Sequence, residues 1–383
     1  VRYSEKEFGF RGTGGTSTIP IDSPIVSQGV RSPGGYHYNA PCFDSTDPED
    51  RNNEQAYAAL SYFLSSESLG SHDFKVGYEQ FVSTRTGGNS QSATKCALDT
   101  DFLYVGNQVV YDSQGRIIPV FTPGLSGFEL WIPERGAKID ITTDSLFFND
   151  RWSLNKNWSF NIGVRYEQVN AEASGNITTV DTTTFVPRLG VSFDPIGNGK
   201  YKLDATYAEY AGKYSEAQFA ENTTVGNPKL LYGYYIGPAG QGVDFAPGFD
   251  PANYFFYYAN DPTANVRTRD DLSSPTTEEF TLSGGMDLGR GGFLKLIYTN
   301  RSVKDFVEDY VVLENGTVDV SVGGIDAGTF DITEFRNSDK PTREYEALQL
   351  QGRYRITDAW SANLGWTYQL KNEGDFEGEG TNT

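Results

Sequence analysis

One methionine, two cysteines and two histidines in 383 residues exclude several chemistries at once. His37 and His72 are too few for an imidazole metal site and leave little scope for histidine-based catalysis. No Cys-x-x-Cys and no Walker-type glycine loop occurs. Basic residues are scarce too, 31 against 51 acidic for a net charge of −20. Nucleic-acid binders need basic surface, so no nucleic-acid partner is expected. A negative field instead favours cationic ligands, although solubility alone also accounts for it. No run of about 20 apolar residues exists, so no transmembrane helix is expected. Strands are not excluded, because barrel strands carry apolar residues only at every second position.

What the chain has in quantity is aromatic residues, 14% of the total, and 42 glycines, a mix that fits strands and turns better than helices. From Trp158 to Tyr166 the even positions read Trp158, Phe160, Ile162, Val164 and Tyr166. The odd positions between them read Ser159, Asn161, Gly163 and Arg165. From Trp360 to Tyr368 the pattern recurs, with Trp360, Ala362, Leu364, Trp366 and Tyr368 set against Ser361, Asn363, Gly365 and Thr367. Successive side chains of a strand point to opposite faces, so each segment has one apolar and one polar face. The aromatics closing the apolar face lie about 27 Å apart at roughly 3.4 Å per residue. A tilt of about 40° leaves roughly 21 Å of height, close to the apolar band of about 25 Å on an outer-membrane barrel. The polar face would then line a lumen.

Four short connections divide the chain beyond about residue 140. They are Leu154–Asn157, Ile196–Gly199, Leu288–Gly292 and Ile356–Ala359, each flanked by alternating segments. Asparagine and glycine there supply the positive φ angles that tight hairpins require. The connections between the hairpins read as long: Asn170–Thr183, Ala211–Pro275 and Val303–Thr342. Short turns on one side alternating with long loops on the other describe a transmembrane barrel. Earlier in the chain, Ala56–Ser65 and Asp73–Val82 read as a strand pair, Leu103–Tyr111 and Arg116–Phe121 flank a turn at Asp112–Gly115, and Asp44–Glu54 reads as an acidic loop. The expected fold is all-β, an antiparallel transmembrane β-barrel, with about ten to fourteen strands of a larger barrel present.

No catalytic constellation emerges, and no enzyme activity or cofactor is expected. Asp44, Asp47, Glu49 and Asp50 carry carboxylates suited to Ca²⁺, but their spacing lacks the glycine and final glutamate of a calcium loop. They read as a solvated loop, and no metal site is assigned. Asp270 and Asp271 have Arg267 and Arg269 beside them as neutralising partners. The long loop carries Tyr232, Tyr234 and Tyr235, then Tyr254, Phe255, Phe256, Tyr257 and Tyr258. Aromatics with polar tips suit recognition of sugars, peptides or aromatic chelates, and packing of loops over the barrel mouth is the competing reading. Arg165, Arg188, Lys202, Asp204, Lys295, Arg301 and Arg353 fall on polar faces, to pair across strands or hold a plug. Cys42 and Cys96 lie in loop-like sequence. In an oxidising exterior they are expected to form one disulfide on the long-loop rim, with two free thiols as the alternative.

The phrase from Asp144 to Trp152 (DSLFFNDRW), a short turn, then Asn161 to Glu167 (NIGVRYE) resembles the middle barrel of TonB-dependent outer-membrane receptors, most of all the Oar-like group. Pro187–Asp194 before the Gly-Asn-Gly turn, Lys202–Tyr210, Thr276–Leu282 running on to Tyr298, Arg301, Lys304 and Asp305, and Arg343–Leu348 follow in matching order. The resemblance is firmest over residues 140–370. It implies a barrel of about 22 strands filled by an N-terminal plug, with import powered through the inner-membrane TonB complex. Residues 1–383 are then expected to be an internal barrel portion without the plug or the C-terminal strands. The expected partners are outer-membrane lipid, the TonB complex through a plug not in this chain, an unknown extracellular ligand, and other outer-membrane or surface proteins. The expected role is import of a bulky nutrient: a siderophore, oligosaccharide or peptide. A surface adhesin or protein-binding barrel and a soluble secreted β protein are the alternatives.

Overall fold

The structure is a computed structural model that describes residues 1–11, 24–26, 47–88, 96–115, 117–132, 134–175, 177–212, 214, 219, 223–225, 229–269, 271–314 and 316–375. Eleven strands form one antiparallel sheet in which each strand pairs with the next in the chain. They are β1 (Arg2–Phe10), β2 (Glu49–Ser66), β3 (Gly70–Thr86), β4 (Lys138–Ser153), β5 (Trp158–Ala173), β6 (Ile177–Phe193), β7 (Tyr201–Ala211), β8 (Thr276–Gly289), β9 (Gly292–Lys304), β10 (Thr342–Arg355) and β11 (Ser361–Asp375). β2 and β6 reach 18 and 17 residues, about three times a common soluble strand.

Register puts the apolar residues of neighbouring strands at one height on one face. Leu60 pairs with Val76, Val76 with Phe148, Phe148 with Val164, and Val164 with Pro187. A one-residue slip in any pair would turn that strand's apolar set into the lumen, so the pattern fixes the register. Aromatics edge this face. Trp158 stacks on Phe193 at 4.3 Å, and His72 stacks on Trp152 at 5.2 Å, near the short turns. Tyr78, Tyr207 and Tyr298 lie toward the other end, each donating its hydroxyl to a carboxylate, respectively Asp144, Glu209 and Glu346.

The four expected turns lie on one rim, and residues 67–69 add a fifth. Side chains close them. Asn155 Oδ1 accepts from the amides of Asn157 and Trp158 at 2.8 and 2.9 Å, and Asp194 accepts from Ile196, Gly197 and Gly199. Gly70 ends the 67–69 turn at φ +73°, where an added Cβ would lie 2.1 Å from the Ser153 carbonyl oxygen.

The opposite rim departs from the sequence reading. Asn170–Thr183 is mostly strand: β5 and β6 run on to Ala173 and from Ile177, leaving a three-residue connection at 174–176. The apolar positions change face there, which hides the strand from a search for one phase. In β4 the lipid face holds Leu146 and Phe148, but Ile139 and Ile141 point to the other face and are buried. In β5 the same switch runs from Tyr166 to Val169, Ala171 and Ala173, and Gln168 pairs with Asp144 at the height of the switch. Beyond that height the interior face is covered by Tyr214, Phe219, Val225 and Leu272 from the 212–275 connection.

The long connections are not structureless either. Residues 87–137 and 212–275 contribute to a second, seven-stranded sheet that includes Cys96–Phe102, Pro119–Phe121, Gly127–Ile132, Lys229–Tyr235 and Tyr254–Asn260. Its core is Leu98, Phe121, Phe128, Leu130, Leu231, Tyr235, Tyr254, Phe256 and Ala259. The hairpin Thr317–Val322 and Ile325–Asp331 adds Val320 and Val322. A parallel ladder between Val266–Thr268 and Thr333–Ser338 ties the last two connections together. The turn at Asp112–Gly115 is present, with the Gly115 amide donating to the Asp112 carbonyl and Tyr111 bridging Ile117. The acidic stretch is not a solvated loop where it is described. Asp47 and Glu49 are buried, and Glu49 opens β2, paired with Arg51 and Arg85.

Candidate functional site

Two surfaces carry the chemistry. The first is the polar face of the wall. Arg165 on β5 reaches Glu79 on β3 at 2.9 Å, Ser145 on β4 at 2.9 Å, and Glu167 on its own strand. Asp204 on β7 gathers Lys202 at 3.1 Å, Lys295 at 3.8 Å and the hydroxyls of Ser192 and Ser283. Arg301 on β9 pairs with Glu279 on β8 and lies over Tyr345 on β10. Arg188 lies over the Tyr210 ring at 4.9 Å. Of the charges expected to pair across neighbouring strands, Arg301 does so, the Arg165–Glu79 and Asp204–Lys295 pairs span an intervening strand, and Lys202 pairs along its own strand. Arg353, on β10, follows the same alternation, pairing in register with Phe293 and Asn363.

The second surface is the exposed face of the seven-stranded sheet. The eight aromatics expected to meet a ligand divide by strand alternation. Tyr235, Tyr254 and Phe256 point into the sheet's core, buried against Phe121 and Phe128. The two tyrosine hydroxyls are used inside the protein: Tyr235 donates to the Pro238 carbonyl at 2.7 Å and Tyr254 to the Gly248 carbonyl at 2.6 Å. Tyr232, Tyr234, Phe255, Tyr257 and Tyr258 stand on the other face. They form a ladder in which Tyr232 stacks on Tyr258 at 5.0 Å, Tyr234 meets Phe255 at 5.1 Å, and Tyr234 stacks on Tyr257 at 6.2 Å. A bulge between Tyr232 and Gly233 brings both Tyr257 and Tyr258 to this face.

Two carboxylates on the same face were not singled out in the sequence. Strand pairing sets Glu129 directly beside Tyr232 and, on the same face, two residue pairs along from Asp99. Burial raises the Glu129 carboxyl above its ordinary range, and the nearby Asp99 charge adds to that. Asp99 is raised by burial and then by Asp101. The alternation of Leu98, Thr100 and Phe102 against Asp99 and Asp101 was the available signal.

Of the expected disulfide, Cys42 lies outside the described residues, and Cys96 opens a strand of the upper sheet. The structure lends the Cys42–Cys96 bond no support. Of the acidic candidates, Asp44 and Asp270 also lie outside the described residues. Asp271 forms a two-bond pair with Arg269 at 2.7 Å, and Asp50 pairs with Arg11 at 2.6 Å. Among the described residues no group of three or more histidine, cysteine, aspartate or glutamate side chains is placed to hold a metal ion.

Comparison with known proteins agrees with this architecture. The family model described as TonB dependent receptor-like, beta-barrel matches residues 9–251, beginning earlier and stopping sooner than the resemblance read from the sequence. The TonB-dependent transporter Oar of Myxococcus xanthus is 23% identical over 380 residues, covering 88% of this chain and 33% of the relative. The chain thus spans about a third of the length of the curated relative it matches. Among solved structures, the outer membrane transporter YddB from Escherichia coli superposes with a TM-score of 0.51 at 12% identity, over 92% of this chain and 36% of that one. The siderophore receptor PirA from Acinetobacter baumannii does so with a TM-score of 0.51 at 12% identity, over 96% and 41%. At such identity these two speak for the fold alone.

Proposed function

The chain belongs to the TonB-dependent receptor-like β-barrel family, and on that premise we propose that it forms the wall and extracellular cap of a receptor that imports a bulky nutrient with TonB-derived energy. It lies in a bacterial outer membrane. The apolar belt faces lipid, and the short turns face the periplasm. The nutrient is captured on the aromatic ladder of the cap and passes along the polar wall. A plug outside this sequence couples the site to the TonB complex.

The single observation that carries this reading is the aromatic ladder. Five rings stand on the free face of a sheet whose opposite face is fully packed. Loop packing accounts for Tyr235, Tyr254 and Phe256 but not for the ladder. Stacked rings with hydroxyl tips suit a large ligand with apolar or planar surface, whether siderophore, oligosaccharide or peptide. The chemistry required is binding and release, so no enzyme activity is assigned.

The test is uptake by cells carrying the full-length receptor. Tyr234→Ala with Tyr257→Ala should lower ligand binding at least tenfold while the receptor still reaches the outer membrane. Collapse of the proton gradient should stop accumulation but leave surface binding intact. Binding without energy-dependent accumulation would instead identify a surface-binding barrel.

A further inference from the structure

We propose that the notch between Asp99 and Tyr234 on the exposed face of the cap sheet is a cation subsite that takes an arginine or lysine side chain of a peptide ligand. The inference rests on the aromatic ladder being the capture surface and names the ligand class it selects.

The notch follows from strand pairing. Gly127 lies between its register partners Asp99 and Tyr234. It carries no side chain, so a hollow separates a carboxylate from a ring. A Cβ built on Gly127 would lie 3.4 Å from the Asp99 Cβ and 3.9 Å from its Oδ2, so the glycine keeps that space open. Glu129, two residues along the same strand, adds a second carboxylate, and its register partner Tyr232 adds a second ring. Asp101 continues the acidic side. The free face of the sheet is thus acidic on one half and aromatic on the other, and the halves meet at Glu129 and Tyr232.

Asp99 Oδ1 is shielded from solvent and has no hydrogen-bond partner among the described residues. Among the described residues no Lys or Arg pairs with Asp99 or Glu129, whereas Asp261 at the other end of the sheet holds Lys229 at 3.0 Å. An acidic pair without a partner cation among the described residues, next to open π faces, is complementary to a cation from outside. A guanidinium or ammonium gains the carboxylates as charge-assisted partners and the ring faces as cation–π partners. The two carboxyls resist ionisation through burial, with Asp101 adding repulsion at Asp99 and Asp99 adding it at Glu129, and a bound cation relieves both. The ladder beyond the notch, Tyr258, Phe255 and Tyr257, leaves room for flanking peptide residues. The net charge of −20 draws a cationic peptide toward the surface.

The experiment uses the full-length receptor in detergent. Isothermal titration calorimetry would compare a short arginine-containing peptide with its citrulline counterpart, which keeps the shape and loses the charge. The arginine peptide should bind at least tenfold tighter. Asp99→Asn with Glu129→Gln should erase that preference without unfolding the cap. Gly127→Ala should weaken the arginine peptide alone. Affinity for it should also fall as pH is lowered through the raised range of the two carboxyls, because protonation removes their charge. Equal binding of the two peptides, or a preference that survives the double substitution, overturns the proposal. Tyr234→Ala with Tyr257→Ala tests the underlying reading. If that variant loses ligand while Asp99→Asn with Glu129→Gln does not, the ladder stands and the cation subsite falls. If the ring substitutions change nothing, both fall.

Discussion

Arg165 joins three wall strands through Glu79, Ser145 and Glu167, and all three charged side chains are less than one-fifth exposed. Removing the guanidinium leaves two carboxylates facing each other. Arg165→Met should therefore cost about 2 kcal/mol, less than the roughly 3–5 kcal/mol of a fully buried pair because the lumen is partly wet. Adding Glu79→Gln should restore part of that loss, and denaturant unfolding in micelles measures both. The same scale governs the rim. Backbone amides, chiefly that of Gly199, hold the Asp194 carboxyl below its ordinary value of 3.8. A depressed folded pKa means the contribution is present above the unfolded value and is lost as pH falls through the folded one. Protection of the Gly197 and Gly199 amides, taken relative to their intrinsic exchange rate at each pH, should thus fall only below about pH 4, and Asp194→Asn should remove that pH dependence. At Gly70, positive φ and the nearby Ser153 carbonyl both oppose a side chain. Gly70→Ala should cost about 1–3 kcal/mol in the same unfolding assay.

At the scale of the strand, alternation made the wall legible. β5 and β11 follow the reading of Trp158–Tyr166 and Trp360–Tyr368, and the four turns lie where they were expected, but positive φ occurs only at Gly197, Gly199, Gly289, Arg290 and Gly291, at no asparagine and nowhere in the 154–157 and 356–359 turns. The upper halves of β4, β5 and β6 were not legible because their apolar phase reverses. Below the switch the solvent for the outer face is lipid. Above it lipid ends, and the interior face packs against the 212–275 connection instead. A period-2 search that fixes one face reads the reversal as the end of the strand. β1 was missed as well, since Arg2–Phe10 has a charged run at Glu5, Lys6 and Glu7 and rings at both phases, Tyr3 against Phe8 and Phe10, so no clean apolar face emerges. The reversal is measurable with spin labels in a background where Cys42 and Cys96 are serine. Leu146→Cys and Phe148→Cys labels should be accessible to oxygen dissolved in the bilayer, and a label at Ile141→Cys should be shielded. Ile141→Ala should cost about 3 kcal/mol, as expected for a filled core position.

At the scale of the molecule, eleven strands, five tight turns on one rim and a second sheet on the other compose a wall segment with its cap. The sequence carried the wall because each strand pairs with its chain neighbour. It did not carry the cap, whose strands come from distant connections: Gly127–Ile132 pairs with Lys229–Tyr235 about a hundred residues away. The site shared that division. The aromatic runs were visible, but which rings face outward was decided by pairing, and Asp99 and Glu129 meet Tyr232 only through the assembled sheet. The central claim is that this wall crosses an outer membrane with its turns inside and its aromatic cap outside. It is tested most directly by labelling single cysteines with a membrane-impermeant maleimide on intact cells, in the serine background. Cysteines placed at Tyr257 and Asp326 should label on intact cells. Cysteines placed at Lys156, Asn198, Arg290 and Asp358 should label only after the outer membrane is permeabilised. Labelling of any of those four turns on intact cells, or protection of Tyr257 and Asp326, would contradict the account.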